Sequence, residues 1–210
     1  MFQEKVRSRL CLLTEGKDQP VELSEREFHL IEKSEGGEAD LRVGISGECI
    51  LFRGLEKRKL QYFKNNKCAD YVIFESGDDI CIVHIFELKR TVKKDEWDHI
   101  KQQFSGALQN ALALAGVLEV SISLENVRLH TVYRNDKLND AANPAVLRKK
   151  LHDKSAGSKD SAGSDWNSRQ ISLEFPQGVL FSHHKIKLDI ENGTGEYTLC
   201  SGHQQHEAVG

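Results

Sequence analysis

The sequence predicts an α/β protein: a mixed central sheet flanked by helices. Three observations carry that expectation. The stretch CADYVIFESGDDICIVHIFELKR (68–90) holds two β-branched and aromatic runs around a polar turn. DEWDHIKQQFSGALQNALALAGVL (95–118) repeats its apolar residues at helical spacing. VRLHTVYR (127–134) then returns to strand character, so that helix, strands, helix and strand succeed one another as in a mixed α/β sandwich.

The elements follow in order. VELSEREFHLIEKSEGG (21–37) places Ser24 and Glu27 at capping-box spacing, ends in Gly36-Gly37 and offers Phe28, Leu30 and Ile31 as an apolar face. It predicts a short helix over about 24–34. LRVGISGECILFRG (41–54) reads as two strands around a glycine-bearing turn, and LEKRKLQYFKNNK (55–67) as a basic connector with a turn at Asn65-Asn66. ADYVIFE (69–75) and DICIVHIFELK (79–89) form a hairpin about Ser76-Gly77-Asp78-Asp79. The long helix carries Trp97, Ile100, Phe104, Leu108, Ala111 and Ala115 on its apolar stripe, with Asp95 as N-cap and Gly116 as terminator. A core over 1–142 then gives way to a polar segment, 143–169, in which SAGS occurs twice; it reads as a flexible loop or linker. ISLEF predicts a strand, and IKLDI and EYTLC around ENGTG a terminal hairpin, so 170–210 is expected to pack on the core and end in a disordered tail at 202–210.

A chain of 210 residues suits one domain, with or without a small appendage. Its 39% apolar and 29% charged residues are those of an ordinary globular protein. A net charge of −3 announces no nucleic-acid partner, but the charge is uneven. Arg53, Lys57, Arg58, Lys59, Lys64 and Lys67 precede the hairpin; Lys89, Arg90, Lys93 and Lys94 follow it. Local patches of this kind bind phosphates even when the total is negative, although by themselves they read as solvated surface. The five cysteines are odd in number and include no CxxC pair. Neither a disulfide framework nor zinc spacing is present, Cys49 and Cys81 read as buried small hydrophobes, and a reducing, cytoplasmic compartment is expected. No apolar run approaches the roughly 20 residues of a membrane span, and the first residues lack the core of a signal peptide.

The hairpin carries the chemistry. Asp70 opens its first apolar run, and Glu87 and Lys89 close its second. Residues two apart on a strand share a face, so Glu87 and Lys89 extend the stripe of Val83 and Ile85. With the turn at 76–79, Asp70 falls opposite about 85–87. An unpaired charge at such an edge is costly, so each needs a partner or a metal. Two carboxylates with a backbone carbonyl and water make a hard oxygen site for Mg²⁺. A buried acid–lysine ion pair is the alternative from spacing alone.

Asp70 followed by Glu87-Leu88-Lys89, a D-x16-E-x-K pattern with the acid at the start of one strand and ExK at the end of the next, resembles the PD-(D/E)xK nuclease superfamily. Lys67-Cys68-Ala69-Asp70 is similar to the basic-Cys-Asp opening of a bacterial variety, and Gln103-Phe104 stands where that variety carries a Gln and an apolar residue. Ala69 occupies the position of the name-giving proline. The likeness spans about 24–134 and implies a restriction-endonuclease-like core. It further implies that Asp70, Glu87 and the Leu88 backbone hold Mg²⁺ or Mn²⁺, that Lys89 assists catalysis, and that Gln103 touches the attacking water or the strand. Some members add a first-helix glutamate; Glu27 and Glu32 are the candidates, and neither is assigned. The implied activity is metal-dependent hydrolysis of nucleic-acid, foremost DNA, phosphodiesters. Lys57, Arg58, Lys59, Lys64 and Lys93 would form the phosphate-binding rim. The modest size and lack of a recognition domain suggest a homo-oligomer or a partner protein, and the lack of a long apolar run suggests no membrane role. The alternative is a catalytically silent module of the same fold that binds nucleic acid or a partner. His183-His184 read as surface histidines, and His84 and His130 as hydrogen-bonded sheet residues.

Overall fold

The computed structural model describes residues 2–13, 21–34, 37–55, 57, 63–76, 81–138 and 161–199. The predicted tail at 202–210, the tip of the hairpin and residues 143–160 of the predicted linker lie outside them. The chain begins with α1 (Phe2–Leu10), then β1 (Val21–Ser24), β2 (Glu27–Ser34), β3 (Gly37–Gly44) and β4 (Cys49–Arg53). The hairpin is β5 (Tyr71–Glu75) and β6 (Cys81–Val92), followed by α2 (Lys94–Leu118) and β7 (Ile122–Asp136). The last elements are α3 (Ser161–Asn167), β8 (Gln170–Ser172), β9 (Leu180–Lys187) and β10 (Thr194–Thr198).

The fold is mixed α/β. Its main sheet has seven strands in the order β1-β4-β5-β6-β7-β9-β8. Strands β1, β4, β5 and β6 run antiparallel in turn; α2 then crosses over, so that β7 lies parallel to β6, β9 parallel to β7, and β8 antiparallel at the far edge. A parallel pair needs such a crossover, which the 25-residue helix supplies. Strand alternation sorts the side chains into two cores. Val72, Phe74, Val83, Ile85, Val127 and Leu129 face Trp97, Ile100, Phe104, Leu108 and Ala111 of α2, with Val6 of α1 and Trp166 of α3. Ile73, Phe86, Leu88, Val132 and Ile186 face the other way, onto Phe28, Leu30, Leu41 and Val43. That second face is covered by a three-stranded sheet, β10-β3-β2, so the described helices lie on one side of the main sheet instead of flanking it.

The structure corrects several expectations. Residues 27–34 form β2, where 24–34 was expected to be helical. Phe28 and Leu30 are fully buried while Ile31 is exposed, a period of two that the adjacent Leu30-Ile31 pair disguised. The Ser24 hydroxyl accepts from the Arg26 N–H in a turn and caps no helix. In α2, Lys93 occupies the N-cap without a side-chain bond; Asp95 and Glu96 sit in the first turn, where carboxylates suit the helix dipole. The helix runs past Gly116 and ends at Glu119, in the left-handed region at φ 52°. The terminal hairpin is absent: β10 pairs in parallel with β3, and β9 sits between β7 and β8. Within the predicted linker, Ser161–Asn167 are helical and Trp166 is fully buried, its indole N–H donating to Asp136 at 2.9 Å.

Candidate functional site

Tyr71 pairs with Phe86 in the β5–β6 ladder, so the next step outward sets Asp70 against Glu87. Glu87 and Lys89 continue the α2-facing row of Val83 and Ile85. The Leu88 N–H donates to Asp70 Oδ2 at 2.7 Å, so the middle of Glu87-Leu88-Lys89 ties the first acid to the end of β6. Lys89 Nζ lies 2.5 Å from Glu87 Oε1. Glu87 has no exposed surface, and neither of its carboxylate oxygens meets a donor in good hydrogen-bond geometry. Burial, and then the Asp70 charge, hold Glu87 well above the usual carboxylate range, and Lys89 offsets this only in part. Burial disfavours the Lys89 ammonium, but Glu87, Asp70 and Glu32 outweigh it and raise its pKa. The pair as a whole therefore keeps its protons more tightly than the same groups in water.

Residues 65–70 are positioned by α2. The Asn65 amide donates to the Gln102 carbonyl at 2.8 Å, the Lys67 ammonium to the Gln102 side chain, and the Ala69 N–H to the Gln103 carbonyl at 3.1 Å. Gly106 makes this approach possible, because a Cβ there would stand 1.7 Å from the Lys67 carbonyl oxygen. Gln103 itself is buried with Oε1 unpartnered. On the far side Tyr71 pins β2 to the start of β5: its hydroxyl donates to the Ile31 carbonyl at 2.5 Å and accepts from the Ile31 N–H at 3.1 Å.

The structure thus brings Asp70, Glu87 and Lys89 together, with Leu88 joined through its N–H. Among the described residues, no three His, Cys, Asp or Glu side chains converge as a metal-binding group, so two carboxylates are the protein's charged donors here. Glu32, considered as a helix residue, comes from strand β2, and its charge reaches both Glu87 and Lys89. Glu27 instead lies near His29 and Arg42 on the small sheet, at 3.5 and 3.9 Å. The sequence reading passed over His99, which is exposed on α2 and whose pKa is lowered by its slight burial and by the Lys67 and Lys89 charges. It precedes Gln103 by one helical turn, which was the available signal.

Of the expected rim, Arg58 and Lys59 lie outside the described residues. Lys57 and Lys64 are exposed on the connection between β4 and β5; since Arg53 pairs with Tyr71, that connection leaves the sheet at the Asp70 end. Lys93 is exposed and stands 3.6 Å from Glu96. It borders an open groove of about 640 Å³ at the carboxyl ends of β6 and β7, lined also by Lys89, Arg90, Thr91, Glu96, Asn135 and Lys137.

The second face of the main sheet holds a buried polar row. His84 Nε2 lies 3.0 Å from Glu75 Oε2 and its Nδ1 3.1 Å from His130 Nε2, while His184 stacks on His130. His183, on the opposite face, is buried among Trp97, Trp166 and Phe104, with Nε2 2.9 Å from Thr131 Oγ1. Of the pair expected at the surface, His183 is therefore buried and His184 half-buried, because β9 is an interior strand of the sheet and not one arm of a terminal hairpin.

No described helix is long and apolar enough to cross a membrane. No family model, curated protein or solved structure matches the chain.

Proposed function

We propose that the protein is a divalent-metal-dependent nuclease of the restriction-endonuclease-like kind, hydrolysing phosphodiesters of nucleic acid, foremost DNA. One observation carries the reading: a fully buried Glu87 whose oxygens lack well-aligned donors, set against Asp70 and beside the Lys89 ammonium. The antiparallel run β4-β5-β6, the crossover α2 and the parallel β7, with the acid at the start of β5 and Glu-Leu-Lys on β6, support it further.

The donor set fits a hard cation. Asp70 and Glu87 would hold Mg²⁺ or Mn²⁺ through oxygen, with the Leu88 backbone and water completing the shell. When bound, the ion supplies Lewis-acid polarisation of a phosphate oxygen and a water of lowered pKa. The chain's own residues do the rest. Asp70 is held in orientation by the Leu88 N–H. Lys89, about one-quarter exposed and charged, would orient the attacking water or neutralise charge developing on the phosphate. Gln103 has a buried amide oxygen without a partner, which would accept a hydrogen bond from a water if that water lies in the site.

The test is cleavage of plasmid and single-stranded substrates with Mg²⁺, Mn²⁺ or EDTA. Asp70→Asn is expected to abolish both cleavage and the metal-induced rise in Tm, whereas Lys89→Ala keeps that rise and loses cleavage by about 10²–10⁴-fold. Wild-type protein that binds no divalent ion and cuts neither substrate would leave the silent-module reading in its place.

A further inference from the structure

The groove beside the site has a character of its own. It opens at the carboxyl ends of the parallel strands β6 and β7, and Lys89, whose ammonium touches Glu87, forms part of its wall. Arg90, Lys93 and Lys137 add three further cations against the single acid Glu96. Glu96 sits loosely on Lys93 at 3.6 Å, and Arg90 and Lys137 form no salt bridge among the described residues. A net-negative chain thus concentrates an excess of positive charge among the described residues where its strands end beside the carboxylates. No aromatic side chain is among the described lining residues, so none of them offers a base a face to stack on.

We infer that this groove holds the sugar–phosphate backbone of a polynucleotide next to the reacting phosphodiester and grips it without reading its sequence. The inference rests on the nuclease reading for the identity of the neighbouring site. Arg90 and Lys137 make the phosphate contacts; neither belongs to the metal or catalytic set. Backbone contacts of this kind release counterions and carry no base preference. Substrate choice would then come from the shape or strandedness of the nucleic acid and not from a recognition sequence.

The experiment measures binding of labelled duplex DNA, single-stranded DNA and RNA, each in several unrelated sequences, to the full chain in EDTA across a salt series. Arg90→Glu combined with Lys137→Glu is compared with wild type, and circular dichroism checks the fold; Arg90→Gln with Lys137→Gln provides a milder pair should the reversal unfold it. The logarithmic salt slope is expected to fall by about 0.9 per lost contact on duplex, or about 0.7 on single strands, by the same amount for every sequence. Unchanged affinity and slope in a folded variant, or a loss confined to particular sequences, would overturn the inference. Cleavage run in parallel separates the two claims. A wild type that binds through Arg90 and Lys137 but never cuts with Mg²⁺ or Mn²⁺ refutes the nuclease reading alone. A wild type that cuts while the reversed variant binds and cuts as well refutes the groove alone.

Discussion

Replacing Gly106 by alanine tests how Asp70 is held in place. In an exposed helix this change stabilises by up to about 1 kcal/mol, because alanine forms helix better than glycine. At Gly106 the new Cβ would lie 1.7 Å from the Lys67 carbonyl oxygen and 2.9 Å from its carbon. Real contacts do not fall below 3.0 Å, so helix and connector must separate by about 1.3 Å, and the atom in the way is backbone that cannot rotate aside. Asp70 is three residues further along that connector, and its 2.7 Å bond to the Leu88 N–H does not survive a shift of that size. Overpacking typically costs about 1–3 kcal/mol, against which the helix gain is set, so a net loss of up to about 2 kcal/mol is expected. In a chain of this length that is a fall in Tm of roughly 4–8 °C. Cleavage should fall about 100-fold, the usual consequence of misplacing a reacting group by about 1 Å. Amide exchange gives a readout independent of activity: the Ala69 N–H, bonded to the Gln103 carbonyl at 3.1 Å, should lose protection. Gly116→Ala is the control, since nothing lies within 4 Å of its Cβ and it should raise Tm slightly with cleavage unchanged. A Gly106→Ala variant that melts like the Gly116→Ala control, with Ala69 still protected, would refute the idea that α2 positions the connector.

Other consequences concern charge, protons and packing. Glu87→Gln should leave the metal-free protein within about 1 kcal/mol of wild type, because Lys89 keeps access to water, yet remove the rise in Tm that Mg²⁺ gives the parent; a loss of about 3–5 kcal/mol without metal would instead mark a structural ion pair. Acid should unfold the protein steeply: burial lowers the pKa of His84 and His130, takes His183 to about 3 and His184 to about 4, so the unfolded chain binds more protons below pH about 6.5. Stability is then fully present above that pH and declines toward pH 4 by up to about 1.4 kcal/mol per pH unit for each group, and chemical denaturation at pH 7.5, 6 and 5 giving equal midpoints would contradict this. Trp166→Ala should cost roughly 3–5 kcal/mol in urea denaturation, since the ring is fully buried and packs edge-on against Trp97 and Tyr133; a cost below about 1 kcal/mol would mean that 161–167 is the dispensable linker its composition suggests.

Where burial follows the alternation of a strand, the sequence was readable. Val83, Ile85, Glu87 and Lys89 fall on one face, and a tight hairpin register sets Asp70 against Glu87; both follow from period two and a short turn. The misreadings have two physical sources. Ser24 and Glu27 satisfy the capping box while Phe28, Leu30 and Ile31 fit either period, so the local signal at 24–34 could not separate helix from strand; the pairing of β2 with β3, fixed by tertiary contact, did. Non-local pairing also placed β10 on β3 and β9 inside the main sheet, and with that second assignment His183 moved from the surface to the interior and His184 to a half-buried place stacked on His130. Trp166 was visible as a lone aromatic in a polar stretch, but the cluster of Trp97, Tyr133 and His183 that receives it is assembled from three separate elements.

The two interpretations of Asp70, Glu87 and Lys89 differ in what the second carboxylate is for. A stabilising ion pair needs one acid and one base, with the remaining lone pairs taken up by further donors. Here Glu87 is buried without well-aligned donors, and the Lys89 ammonium lies 2.5 Å from its Oε1. Asp70 adds a second negative charge close enough to push Glu87 further from its ordinary range, and Glu32 adds a weaker third. The Leu88 N–H holds Asp70 there, so the repulsion is built into the hydrogen-bonded end of β6 and does not relax by side-chain rotation alone. On the nuclease reading proposed above, two acids held against each other, with a lysine beside them and a basic groove opening on the same strand ends, would be stabilised by a divalent cation and a phosphate.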